Sequence, residues 1–343
     1  MQRTDSPFAP PAWLRDRHLQ TVLGSSPLRR RRGARQLAAA CARHEAQVYD
    51  GGHGVRLAGV LSRPREGGDD GRLAVLLHGW EGSQSSSYMQ LGAARLLQAG
   101  CAVLRLNFRD HGDTHHLNVD LFHSNRLGEV VQAIADACQR HHVHELLLAG
   151  HSLGGNFALR VAAAAPAAGL PLARVAAVCP VVDPAATLLA MERGWRLYPR
   201  YFARQWRTSL KRKRTLFPQQ HAYDDAILGL DLRHLTEWLV LHHTDFASLH
   251  AYFDGYTLSD GRLAELTVPA RVLTSADDPV IPVAAFDRLA LPDSATLEVA
   301  RWGGHCGFIE NARLDGYAER WLGRVLLGET SAGTGKLAAS SAD

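Results

Sequence analysis

The chain has 343 residues, 38 Lys+Arg against 34 Asp+Glu, and a net charge of +4. That length holds one large α/β domain or two modest ones, and 46% hydrophobic with 21% charged residues excludes a disordered or fibrous chain. No run of about 18 apolar residues occurs and no apolar stretch follows the first residues, so neither a membrane span nor a signal peptide is expected.

Residues 1–45 carry nine Lys/Arg against three acids. Pro7, Pro10 and Pro11 oppose a helix at the start, and the run Arg29-Arg30-Arg31-Arg32 reads as an exposed basic arm. Residues 46–49 and 55–61 read as two strands joined by the turn Asp50-Gly51-Gly52-His53-Gly54. A polar loop (64–71) precedes Leu73-Ala74-Val75-Leu76-Leu77, a continuous apolar run of the buried-strand type. A helix follows over 87–98, a strand over 101–106, a helix over 121–140, a strand over 145–149, a helix to about Ala165, where Pro166 ends it, and a strand over 175–179. Residues 184–265 break the alternation; rich in Trp, Tyr, Arg and His, they read as a helical cap. They include a second basic block, with nine Lys/Arg and no acid over 193–214. Alternation resumes with a strand over 271–274, a helix near 283–290, a strand over 295–300 and a helix over 308–327. The small polar residues 328–343 read as a disordered tail. The pattern predicts a mostly parallel sheet of eight strands with helices on both faces, its core formed by 46–183 and 266–327.

Chemistry concentrates at the predicted carboxyl ends of strands, where such sheets place their sites. Leu146-Leu147-Leu148-Ala149 runs into Gly150-His151-Ser152-Leu153-Gly154 and then a helix, the setting of a strained strand-to-helix turn that presents one serine hydroxyl. A serine hydroxyl needs a base, and the base an orienting acid. Gly303-Gly304-His305-Cys306-Gly307 follows a strand and offers His305 as base. Ala276-Asp277-Asp278-Pro279 follows another and offers the acid: Asp278, which stands four residues before Pro282 as superfamily members carry it, or Asp277. The order Ser, acid, His is that of α/β-hydrolases. An oxyanion needs donors; these are the N–H of Leu153 and that of Trp80, with Gly79 as the alternative, in the loop His78-Gly79-Trp80-Glu81-Gly82-Ser83.

Taken together these residues resemble the YheT-like branch of the α/β-hydrolases, which includes bacterial esterases and membrane-associated lipases. The resemblance extends to Pro7-Phe8, Pro11-Ala12-Trp13-Leu14 and His18-Leu19-Gln20-Thr21 near the start, to Asn107-Phe108-Arg109, to Phe122-His123-Ser124 and to Asn156 after the elbow. It implies an α/β-hydrolase fold with a helical cap and carboxylic-ester hydrolysis, extending to lipid esters. The chain departs from the branch in three places: the stretch Asp110-His111-Gly112-Asp113 stands for Gly-Cys-Ser-Gly, Asn125 for a glycine and Glu129 for an aspartate.

The expected function is therefore a serine esterase with Ser152, Asp278 and His305 as triad and no cofactor. An acyltransferase with the same triad and a non-catalytic binding protein are the alternatives. The clusters His111, Asp113, His115, His116 and His141, His142, His144, with the pair His242-His243, lack metal-site spacing and read as polar surface groups, so no metal is expected. Cys41, Cys101, Cys138, Cys179 and Cys306 are odd in number and lack C-x-x-C pairs, which points to a reducing cytoplasm without structural disulfides. The two basic blocks offer peripheral contact with an anionic membrane surface; no nucleic-acid module accompanies them.

Overall fold

The computed structural model describes residues 2–66 and 70–328. Strand β1 (Gln2–Asp5) is followed by α1 (Arg17–Gly24), α2 (Pro27–Ala40), β2 (Cys41–Asp50), β3 (Arg56–Pro64) and β4 (Arg72–Leu77). Then come α3 (Ser87–Gln98), β5 (Ala102–Leu106), α4 (Leu127–Arg140), β6 (Glu145–His151), α5 (Leu153–Ala164) and β7 (Leu172–Val178). Five helices follow: α6 (Pro184–Arg193), α7 (Leu197–Leu216), α8 (Asp225–Gly229), α9 (Leu232–His243) and α10 (Leu249–Asp254). The chain then returns through β8 (Ala270–Ser275) and β9 (Ala295–Ala300) to α11 (Tyr317–Leu327).

The strands form one nine-stranded sheet in the order β1-β9-β8-β7-β6-β4-β5-β3-β2. Only the β2–β3 and β3–β5 pairs are antiparallel. Its central strands are covered on both faces. Leu73, Val75 and Leu77 pack with Ile134 of α4 and Phe157 of α5, whereas Ala74 and Leu76 pack with Leu37, Ala93 and Leu322 of α2, α3 and α11. Two buried faces explain why these strands read as continuous apolar runs rather than alternating ones. β4 lies between β5 and β6, with Leu77 opposite Gly150, so the loops after β4 and β6 emerge side by side.

The sheet has nine strands, not eight. The ninth, β1, is four exposed residues paired parallel to β9, so no apolar signal marks it. Residues 1–45 are likewise not a free arm. Asp16 caps α1 by accepting the N–H of His18 and Leu19, and Ser26 caps α2 with Pro27 in its first turn. Arg29 is fully buried and pairs with Glu319 of α11 at 2.5 Å, and Arg32 pairs with Asp315. Helix α4 starts at Leu127 rather than at 121, because Arg126 donates to the Leu121 carbonyl and Asp110 accepts the Phe122 N–H, holding 121–126 as a loop. The last helix starts at Tyr317, after a loop pinned by the Ile309–Gly316 bridge. Residues 329–343 of the expected tail lie outside the described residues. Among the described residues no helix is long and apolar enough to cross a membrane.

Candidate active site

Ser152 stands between β6 and α5 with φ 54° and ψ −120°, a conformation that side chains other than glycine rarely adopt. The turn is possible only because its neighbours lack side chains. A Cβ on Gly150 would lie 2.0 Å from the Gly154 carbonyl oxygen, and one on Gly154 would lie 2.3 Å from that of Leu77. Backbone bonds hold the turn: Ser152 N–H donates to Val178 at 2.8 Å, and the buried Asn156 side chain donates to Val181 and Tyr256.

Ser152 Oγ lies 2.9 Å from His305 Nε2, and His305 Nδ1 lies 2.9 Å from Asp278 Oδ2. The other Asp278 oxygen accepts the N–H of Val280 and Ile281, which fixes the carboxylate in a fully buried place. Asp277 turns the other way and accepts the Gly304 N–H at 3.0 Å, ordering the loop that carries His305. Burial opposes the imidazolium, but the Asp278 carboxylate, followed by the Cys306 sulfur, outweighs it and carries His305 up to about 9.

The loop after β4 is pinned on both sides. His78 is buried and neutral, its pKa well below the ordinary value through burial and the neighbouring His111. Its Nε2 accepts the Phe108 N–H, so Nδ1 donates to the Gly79 carbonyl at 2.7 Å. The Gly79 N–H donates to the Tyr88 hydroxyl at 3.0 Å. That use removes Gly79 as an oxyanion donor, while the N–H groups of Trp80 and Leu153 have no acceptor among the described residues.

Sequence reasoning missed the part played by the N-terminal segment. Thr21 Oγ1 accepts the His305 N–H at 2.9 Å. Gln20, fully buried, accepts the Ile309 N–H at 2.7 Å and donates to Leu14 and Ile309 carbonyls. His18 Nδ1 lies 2.9 Å from the Tyr198 hydroxyl of α7. The stretch His18-Leu19-Gln20-Thr21 thus ties α7 to the His305 loop, a role no local pattern announces.

Two spaces meet at Ser152. One, about 100 Å³, is apolar and runs beneath the helices between β7 and β8, with Leu188, Met191, Trp206 and Tyr256 among its walls. The other is a cleft of about 490 Å³ lined by the loop after β4, by Thr21, Tyr198 and Tyr201, and by His305 and Cys306. Trp80 and Phe202, stacked at 5.3 Å, contribute to both. Of the five aromatic residues expected either to pack or to face lipid, Tyr198 and Trp206 are buried, Phe202 is half-buried, and Trp195 and Tyr201 are exposed.

Of the positions that depart from the YheT-like pattern, Asp110 and Asp113 hold α7 to the loop after β5. Asp110 pairs with fully buried Lys213 at 2.6 Å, and Asp113 pairs with Arg212. Glu129 pairs with buried Arg109 at 2.7 Å, and Asn125 donates to the Tyr252 carbonyl. The basic block of 193–214 is therefore not wholly a surface feature. The His111–His116 cluster is not wholly a surface feature: His111 and His115 are buried, His111 bonding the Arg109 carbonyl and His115 facing Ser209 of α7. Among the described residues, one group of three could hold a metal ion, Cys179, His305 and Cys306.

This elbow, with an acid and a histidine on neighbouring strand ends, defines an α/β architecture built to present a serine. The chain belongs to the alpha/beta hydrolase family, which matches residues 74–319. A 102-residue stretch is 29% identical to protein phosphatase methylesterase 1 of Rattus norvegicus, covering 30% of this chain and 26% of that protein. A 117-residue stretch is 31% identical to an sn-1-specific diacylglycerol lipase of Xenopus tropicalis, covering 33% and 34%. The matches thus span only about a quarter to a third of these relatives. A serine hydrolase of Cycloclasticus zankles superposes with a TM-score of 0.55 at 18% identity over 83% of this chain and 99% of its own. A carboxylesterase of Bacillus subtilis gives 0.54 at 15% identity over 88% and 99%. At such identities the likeness is one of fold.

Proposed function

We propose that this chain is a serine hydrolase of carboxylic esters, lipid esters included, working through Ser152, His305 and Asp278, and that it belongs to the YheT-like branch. One observation carries the reading: the unbroken Ser152–His305–Asp278 relay, both links 2.9 Å, at the carboxyl ends of β6, β8 and β9. Neutral His305, its Nδ1–H held by Asp278, takes the Ser152 proton as Oγ attacks the ester carbonyl. The N–H groups of Trp80 and Leu153 receive the oxyanion. His305 then protonates the leaving alcohol. Because His305 faces the larger cleft and not the apolar pocket, the alcohol leaves through the cleft and the acyl chain occupies the pocket. Water activated by His305 releases the acid and restores Ser152. No cofactor takes part. Residues 184–265 act as a cap that shapes the acyl pocket. Contact with an anionic membrane, in a cytoplasmic setting, falls to the exposed arginines, since Arg29 and Lys213 are buried.

The test is hydrolysis of p-nitrophenyl esters from acetyl to long acyl chains by wild type and Ser152→Ala, in EDTA, with and without an added alcohol. Activity in the wild type alone supports the reading. Equal activity in both proteins removes Ser152 as nucleophile, and acyl transfer to the alcohol in preference to water establishes an acyltransferase.

A further inference from the structure

Beside the relay lies a set of soft donors that ester hydrolysis does not use. Cys179 follows the end of β7, and Cys306 follows His305 in sequence. The ligand atoms of Cys179, His305 and Cys306 all lie within 4.8 Å of one another. Both cysteines are free thiols held at positive φ, 44° and 57°, a backbone state that residues other than glycine rarely adopt. Cys179 is fully buried, whereas Cys306 is half-buried and lines the cleft with Ser152 and His305, which gives an ion a route from solvent.

The geometry points to a binding site for one thiophilic divalent cation, zinc or cadmium, on Cys179 Sγ, Cys306 Sγ and His305 Nε2, and the bound ion is an inhibitor of the serine chemistry. Two sulfurs and an imidazole are a zinc donor set. A tetrahedral ion with Zn–S of about 2.3 Å keeps its sulfurs roughly 3.8 Å apart, so the donors need to move by no more than about 1 Å. The outer shell already exists. Asp278 holds Nδ1–H at 2.9 Å, the carboxylate–histidine arrangement that orients a metal-binding imidazole and leaves the Nε2 lone pair outward. On binding, the two thiol protons and the Nε2 proton of the imidazolium form pass to solvent, and two metal–sulfur bonds form. The Nε2 lone pair goes to the metal, its hydrogen bond to Ser152 breaks, and water completes the coordination; no electron is transferred. The lone pair that would accept the Ser152 proton is then occupied, so cation and active base exclude one another. Inhibition rests on the serine-hydrolase reading; binding does not.

The experiment uses the full chain, stripped with EDTA, dialysed and kept under a phosphine reductant, and titrated with cadmium chloride. Three signals are followed: the sulfur-to-cadmium charge-transfer band, alkylation of Cys306 by iodoacetamide, and labelling of Ser152 by a fluorophosphonate. The band is expected to saturate at one cadmium per chain. Cys306 alkylation and Ser152 labelling fall with it, and EDTA restores both. Cys306→Ala weakens binding by at least about tenfold. No band at equimolar cadmium, or an undiminished band in Cys179→Ala/Cys306→Ala, overturns the site. A band with undiminished Ser152 labelling overturns its inhibitory role. If the cysteine variants do not fold, protection of Cys306 in the wild type decides. If metal-free protein does not label at Ser152, the serine-hydrolase reading fails, while the band and Cys306 protection still report on the cation.

Discussion

Replacing Lys213 with Met tests what anchors α7 over the site. Lys213 Nζ lies 2.6 Å from Asp110 Oδ1 and also donates to the Asn118 and His115 carbonyls. Without the ammonium, the Asp110 carboxylate keeps one partner, the Phe122 N–H at 2.9 Å. Arg109 is committed to Glu129, and Glu81, pushed up to about 8 by burial and by Asp110, offers no positive charge. Burial already raises Asp110 from 3.8 against the pull of Lys213, so the variant's Asp110 takes a proton. Protonating a carboxyl whose ordinary pKa is 3.8 costs about 4 kcal/mol at pH 7, within the range for breaking a buried pair. At roughly 2.1 cal/mol/K per residue, the Tm falls by about 6 °C. The sign follows from proton binding. In the variant the folded state holds a proton that the unfolded state releases above 3.8, so the deficit shrinks by about 1.4 kcal/mol per unit as pH falls, to about 1.5 kcal/mol at pH 5. Calorimetric melts at pH 7, 6 and 5 read this directly. Asp110→Asn/Lys213→Met, with no stranded charge, recovers most of the loss at pH 7. A deficit equal at pH 5 and pH 7 would refute the argument.

Other substitutions bear on the relay. Asp278→Asn lowers kcat by about 10⁴-fold through loss of the tautomer that Asp278 enforces; Asp277→Asn keeps an acceptor for Gly304 and costs about 1 kcal/mol or less, read from the same ester assay. Thr21→Val removes the acceptor of the His305 N–H and lowers kcat by about 10–100-fold with a smaller change in KM, while Thr21→Ser restores it; a change in KM alone would count against positioning. Met191→Trp fills the acyl pocket and lowers kcat/KM for long-chain esters while sparing acetyl esters. With His305 carried up to about 9, its neutral form is the minority at pH 7, so kcat/KM climbs as pH rises from 7 toward 9. The stabilising imidazolium–Asp278 pair is fully present below 6.5 and lost as pH rises through about 9, so thermal stability falls over the same window.

The parts legible in the sequence are those where local pattern and burial agree. Helix α3 runs from Ser87 to Gln98 as its periodicity indicates, and the buried runs of β4 and β6 mark the strands that flank the elbow. Ser152 and His305 could be chosen because strand ends, glycines and chain order converge on them, whereas Asp278 was separated from Asp277 only by the superfamily spacing to Pro282. Helix α2 was hidden because, of the residues it buries, Arg29, Gly33, Leu37 and Ala40, only Leu37 is large and apolar. Its cap Ser26 and first-turn Pro27 were the available signal, outweighed by the arginine run. The Asp110–Lys213 pair joins residues 103 apart, and Gln20 and Ile309 are 289 apart; such partners are written by tertiary packing and leave no spacing to read.

The contact between Thr21 and His305 spans 284 residues, so the two parts of the site are made far apart in time. At about 5–20 residues per second, the N-terminal segment leaves the ribosome roughly 15–60 s before the loop it must grip. During that interval Gln20 lacks the Ile309 backbone that it bonds in the finished fold. The nascent chain therefore passes through a long stage in which the elbow can form while its base has no seat. Competence arrives when β9 and α11 dock against a segment synthesised well over two hundred residues earlier.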